Sequence, residues 1–275
     1  MKTIRCLLFI AFCGIGWACQ KGKDDGSQQT SRKTYLKRII YGDSSTKYFS
    51  LFQYDSNGKI VKYFWDSVGK PGILNTEFYY NGQNRLSETK VYANNGSTVS
   101  EIRKYYYDAN GYCIGDTAFD VQGRKTWYWD NSYSYDSDGR LLTVKHQNET
   151  VIRYEYGASK NPTKSYIKSQ GQPELAKTIY SIFDNKKSWL GDCKELRHYF
   201  LVYGHKYAFD FFENNAIEYK ELWSRTTGTT NGEWSNMKEE LIYNASGYPI
   251  KRKVIQTNSG GTHVVWLEEY EFEEK

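Results

Sequence analysis

The residues best equipped for chemistry in this 275-residue chain are aromatic rings: 26 Tyr, 13 Phe and 8 Trp, against only 4 His. They cluster as Phe78-Tyr79-Tyr80, Tyr105-Tyr106-Tyr107 and Trp127-Tyr128-Trp129, with Trp65 closing another run. On a strand, successive side chains point to opposite faces, so each cluster places rings on both. A ring left in water can stack on a sugar or a partner protein, and one turned inward packs in a core. Trp65, Tyr79, Tyr106, Trp127 and Trp129 are therefore the candidate binding residues. Cross-strand aromatic packing explains the same letters and stays open as the alternative.

Other chemistries find little support. The histidines are His146, His198, His205 and His263, and none forms a His-Glu-x-x-His pair. There is no Gly-x-Ser-x-Gly elbow and no glycine-rich phosphate loop. His198 and His205 lie near Asp192, Cys193 and Glu195, which an ordinary polar insert explains more simply than a metal or Cys–His site. Asp136-Ser137-Asp138-Gly139 has the look of a calcium-loop fragment, but it lacks the later ligands and reads as a tight turn. No carboxylate pair can be singled out for sugar hydrolysis among 32 acids. The expectation is no enzyme, no metal and no cofactor, with a polysaccharide-active enzyme the least favoured reading.

The N-terminus points to export. Lys2 and Arg5 precede a short apolar stretch ending at Ala18-Cys19, too short to span a bilayer and suited to a signal peptide. Residues 1–18 are read as that signal, with Cys19 as the lipidated first residue. Residues 19–32 are polar and rich in Gly, Ser and Gln, a flexible tether. The formal charge of +5 falls to +3 once Lys2 and Arg5 leave with the leader, too little and too interleaved with acids for nucleic acid. Cys113 and Cys193 are the other cysteines of the mature chain; an exported compartment permits their pairing, but two free thiols is the simpler expectation.

The elements that must position the rings follow from a repeat. Tyr54-Asp55-Ser56-Asn57-Gly58 returns as Tyr80-Asn81-Gly82, Tyr107-Asp108-Ala109-Asn110-Gly111, Tyr135-Asp136-Ser137-Asp138-Gly139 and Tyr243-Asn244-Ala245-Ser246-Gly247. Asp and Asn bond back to their own backbone and Gly accepts positive φ, so these are turns. Between them apolar and polar residues nearly alternate, the period of a strand. Weaker turns at mid-period, such as Phe119-Asp120-Val121-Gln122-Gly123, make one hairpin per repeat. The fold class is all-β: a long antiparallel meander of hairpins in residues 33–275, forming a strongly curved open sheet or a barrel-like structure. Leu196, Phe200 and Tyr203 share a helical face, so one short helical insert is expected near 188–203.

These steps resemble tyrosine–aspartate (RHS-like) repeats. Their order, with Asn161-Pro162, Phe183-Asp184-Asn185-Lys186-Lys187 and Asn214-Asn215, resembles a family of uncharacterised Bacteroidetes-type envelope lipoproteins with a porin-like fold. The resemblance implies a large curved antiparallel sheet and an envelope location, and it carries no catalytic residue. The resulting expectation is a non-catalytic lipoprotein of the outer membrane or cell surface, anchored through Cys19. It would bind a glycan, peptide or envelope protein through an aromatic-rich sheet face. A structural or assembly lipoprotein without a small-molecule site is the alternative. Lys and Glu recur on both alternating sets of strand residues, against a transmembrane porin.

Overall fold

The structure, a computed structural model, describes residues 33–42, 47–146, 151–168, 174–188, 190, 212–223 and 234–274. The expected leader and tether, most of the expected helical insert, Cys19 and Cys193 lie outside them. Cys113 is buried and unpaired by any disulfide.

Sixteen strands follow in order: β1 (Thr34–Gly42), β2 (Lys47–Tyr54), β3 (Ile60–Ser67), β4 (Ile73–Tyr80), β5 (Leu86–Tyr92), β6 (Val99–Tyr107), β7 (Cys113–Phe119) and β8 (Lys125–Tyr135). The second half is β9 (Leu141–His146), β10 (Val151–Tyr156), β11 (Pro162–Lys168), β12 (Glu174–Phe183), β13 (Ala216–Trp223), β14 (Trp234–Tyr243), β15 (Pro249–Asn258) and β16 (Gly261–Glu274). Each pairs antiparallel with its neighbours, and β1 pairs with β16, so the meander closes into a barrel. Of the two forms left open by the sequence, closure wins because it leaves no sheet edge along the paired length.

The Tyr-Asp step turns out to be a five-residue turn with a stitch. In the first copy the Asp55 N–H donates to Lys59 O, the Gly58 N–H donates to Asp55 O, and Asp55 Oδ1 accepts the N–H groups of Asn57 and Lys59. Gly58 sits at φ 76°, where a Cβ would also strike the Tyr35 hydroxyl. Asn84 supplies the positive φ in the second copy, at 61°. Among the described residues this turn closes β2–β3, β4–β5, β6–β7, β8–β9 and β14–β15 at one end of the barrel, and only β7–β8 at the other.

The tyrosine of the step faces inward at that end. Tyr54 OH donates to Leu36 O, Tyr80 to Ile60 O, Tyr107 to Leu86 O, Tyr135 to Cys113 O and Tyr156 to Leu141 O, at 2.6–2.9 Å. Each bond pins the end of one strand to the start of its neighbour. The cation after the positive-φ residue then covers the next tyrosine: Lys59 on Tyr80, Arg85 on Tyr107 and Arg140 on Tyr156. Tyr112 holds that place in its own copy, stacked on Tyr135 at 5.0 Å. The repeat thus links turn to neighbouring turn along this part of one barrel end.

Strand alternation divides the side chains sharply. The outer face carries cross-strand ion pairs: Lys62–Glu77 (3.3 Å), Lys253–Glu240 (3.1 Å), Lys251–Glu269 (3.7 Å) and Arg38–Glu271 (3.5 Å). The inner face holds the core, including Leu36, Ile39, Phe52, Phe78, Tyr105, Tyr133, Val144, Ile152, Tyr154, Tyr180, Tyr219 and Tyr270. These inward side chains are shielded from water. Phe212, from the β12–β13 connection, is fully buried against the rings of Tyr154, Tyr180 and Phe183.

Candidate functional site

The sequence-derived candidates do not fall on one surface. Tyr79 and Tyr106 are outward-facing and 38% and 45% exposed, on β4 and β6 with β5 between them. Tyr79 OH donates to Glu77 Oε2 at 2.7 Å and its ring carries Lys90 Nζ at 4.8 Å, and Tyr92 OH donates to the same carboxylate oxygen. Burial and Glu77 push the Tyr79 hydroxyl up to about 12. Trp65 faces the other way: it pairs with Ser50, on the inner face of β2 and β3. Trp127 and Trp129 belong to β8, and their side chains lie outside the described residues.

Two polar clusters break the apolar interior. The first crosses β6 to β9. Arg103, at 0% exposure, bonds Asp116 through Nη1 and Glu101 through Nε and Nη2 (3.2 and 3.0 Å). Asp116 also accepts from Asn131 Nδ2 (2.9 Å) and Tyr133 OH, and Asn131 Oδ1 meets His146 Nδ1. Burial raises the Asp116 pKa despite the opposing pull of Arg103, Tyr133 and Asn131. Burial and Asp116 together raise Tyr133 far above its ordinary value.

The second cluster crosses β13 to β16. Arg252 bonds Glu239 through Nε (2.8 Å) and Nη2, and Glu268 through Nη1 (3.1 Å). Tyr219 OH donates to Glu239 Oε1 at 3.2 Å, Tyr270 OH donates to Glu268, and Trp266 Nε1–H donates to Glu268 Oε1. Burial works to lower the Arg252 pKa, but Glu239 and Glu268 outweigh it and the guanidinium stays charged. Each carboxylate is committed to this shared cation and to hydroxyl or indole donors.

The second cluster adjoins a row of rings near the barrel end opposite the Tyr-Asp turns. Tyr41 pairs with both Tyr48 and Glu268, so all three share the inner face. The Trp266 and Tyr41 rings lie 6.1 Å apart and 11° from parallel; Tyr41 and Tyr48 lie 6.1 Å apart at 26°. Trp65 is on the adjacent strand, diagonal to Tyr48 on the same face. Behind the row, Ser50 Oγ and Tyr63 OH are 3.2 Å apart, and burial pushes the Tyr63 hydroxyl up to about 12. Trp266 and Tyr48 remain 36% and 37% exposed although they face inward. Of the sequence-derived candidates whose side chains are described, Trp65 belongs to this row and Tyr79 and Tyr106 do not.

The same wall carries a hollow of about 520 Å³ lined by residues of β1, β2, β14, β15 and β16. Ile40, Ile242 and Leu267 give it an apolar surface between the Lys251–Glu269 and Lys253–Glu240 pairs. Asp136, the calcium-like candidate, is used up by its own turn: Oδ1 accepts from Asp138 and Arg140, and Oδ2 takes the Arg140 guanidinium at 2.6 Å.

No protein-family model and no curated protein matches the chain. Among solved structures, a porin-like protein from Bacteroides uniformis aligns over 86% of this chain and 96% of its own, at 12% identity and a TM-score of 0.52. A porin-like protein from Bacteroides vulgatus aligns over 87% and 99%, at 13% identity and a TM-score of 0.41. A Photorhabdus luminescens Tc holotoxin pore aligns over 80% of this chain and 9% of its own, at 11% identity and a TM-score of 0.30. The first of these supports the barrel fold and nothing further.

Proposed function

We propose that this chain is a non-catalytic barrel of the cell envelope. It is tethered by lipid on Cys19 at the outer membrane or cell surface, and it works in water as a binding module for a glycan, peptide or envelope protein. The observation that carries the reading is the polarity of the wall. A membrane-spanning barrel turns an apolar band outward and a polar lumen inward. Here ion pairs such as Lys62–Glu77 and Lys253–Glu240 line the outside, and the inner face holds buried rings and aliphatic side chains broken by two closed ionic clusters. A charge at the bilayer midplane costs about 2–4 kcal/mol, so such a wall favours water over lipid. The buried rings of the inner face argue for binding over conduction.

The test has two arms. Cells expressing the full chain should incorporate labelled palmitate into the wild type and not into Cys19→Ala. The purified chain should give no conductance steps in planar bilayers. Label retained by Cys19→Ala, or stepwise channel currents, would overturn the reading.

A further inference from the structure

We infer that the inward ring row Trp266–Tyr41–Tyr48, with Trp65 beside it, is a saccharide site that takes a pyranose of an uncharged or amino-bearing glycan. This rests on the binding-module reading above and gives it a place and a ligand class. Three observations carry it.

First, rings from three neighbouring strands, separated by more than two hundred residues between Tyr41 and Trp266, are brought nearly parallel at 6.1 Å spacings. Aromatic groups prefer offset stacking, and near-parallel rings at this spacing leave part of each face for an offset partner. The C–H face of a pyranose is such a partner.

Second, this part of the inner face is reachable. Phe52 and Tyr270, deeper on the same wall, are 2% and 4% exposed, whereas over a third of Trp266 and of Tyr48 remains in contact with water. A row needed only for packing would gain by being covered as those rings are.

Third, a hydroxyl-directed group sits beside the rings. Glu268 is fixed by Trp266 Nε1, Tyr270 OH and Arg252. With three donors on about four lone-pair positions, Glu268 keeps room to accept one sugar hydroxyl. Among the described residues Glu239 and Glu268 share Arg252, so these three groups together carry one excess negative charge. That excess opposes the carboxylates of uronic-acid polymers and tolerates an ammonium group.

The experiment is calorimetric titration and affinity electrophoresis of the full chain with three probes: soluble glucans, chitosan oligosaccharides and polygalacturonate. Binding is expected for a probe of the first two classes and not for the third. Trp266→Ala and Tyr41→Ala should each weaken it by about tenfold or more, the scale of losing a central aromatic anchor. Tyr79→Ala/Tyr106→Ala, on the outer face, should leave it unchanged. If Trp266→Ala fails to fold, Tyr48→Ala on the partly exposed end of the row replaces it. No binding to glucan or chitosan, equal binding to polygalacturonate, or loss that follows Tyr79 and Tyr106 would each overturn the site. In the last case the binding-module reading survives; channel currents or Cys19-independent labelling would instead remove that reading.

Discussion

Among the described residues two buried arginines are each clamped by two carboxylates, and they differ in access to water more than in chemistry. Arg103 and Asp116 are fully buried in the β6–β9 wall, with Tyr133, Asn131 and His146 around them. Arg252 bonds Glu239 and Glu268 in the β14–β16 wall, and its neighbour Trp266 stands partly in water. The same ionic motif is a sealed strut in one wall and the floor of an accessible ring row in the other. A buried ion pair by itself therefore says little about role; what lies between it and solvent decides.

The largest effect should come from the sealed side. Asp116→Ala leaves the Arg103 guanidinium with a lost partner in a waterless site, and urea unfolding should show a loss of about 3–5 kcal/mol. A loss below about 1 kcal/mol would erase the contrast between the walls. Next in size is Gly58→Ala at the stitched end, where positive φ and the Tyr35 hydroxyl both oppose a Cβ, expected to cost about 2–3 kcal/mol. Gly69→Ala, at the opposite end with φ 91° and open space around it, should cost about 1 kcal/mol. Equal losses would mean that the two ends are equally constrained.

Acid–base behaviour sharpens the comparison further. The Asp116 pKa is raised on folding, so its stabilising contribution is complete below the ordinary carboxylate pKa and is lost as pH rises through the folded value. Wild type should therefore lose stability relative to Asp116→Asn as pH increases from the acid side. Glu77 on the outer face has the opposite sign. Burial raises its pKa, but the Tyr92, Tyr79 and Lys62 contacts outweigh this and lower it. Its contribution is present above the ordinary value and disappears as pH falls through the lowered one. Urea midpoints across acid to neutral pH for wild type, Asp116→Asn and Glu77→Gln would separate the two; parallel curves would refute both signs. The smallest stability change is expected for Tyr48→Ala, about 1 kcal/mol or less because the ring is partly exposed. A much larger loss would make the ring row a packing element like its sealed counterparts.

The repeat was readable because its causes are local. Asp or Asn followed by Gly sets a turn within five residues, and the tyrosine before it lies at the adjoining strand end, so hairpin, period and all-β class all follow from neighbours in the chain. The candidate site was only partly readable. Trp65 is in the ring row, but Tyr41, Tyr48 and Trp266 sit in stretches with no motif around them. Tyr79 and Tyr106 attracted notice through their clusters, yet on the fold each is simply the outward member of an inward–outward–inward set.

The sequence by itself determined the strands, their turns and the near-alternation of apolar with polar residues, because these depend on φ preferences and a two-residue period. Only the tertiary structure decided that β1 meets β16, that the charged set faces out, and that Arg252, Glu268, Trp266 and Tyr41 share one surface. Those depend on the register between strands remote in sequence, and a register is fixed by the whole closed ladder, not by any segment of it.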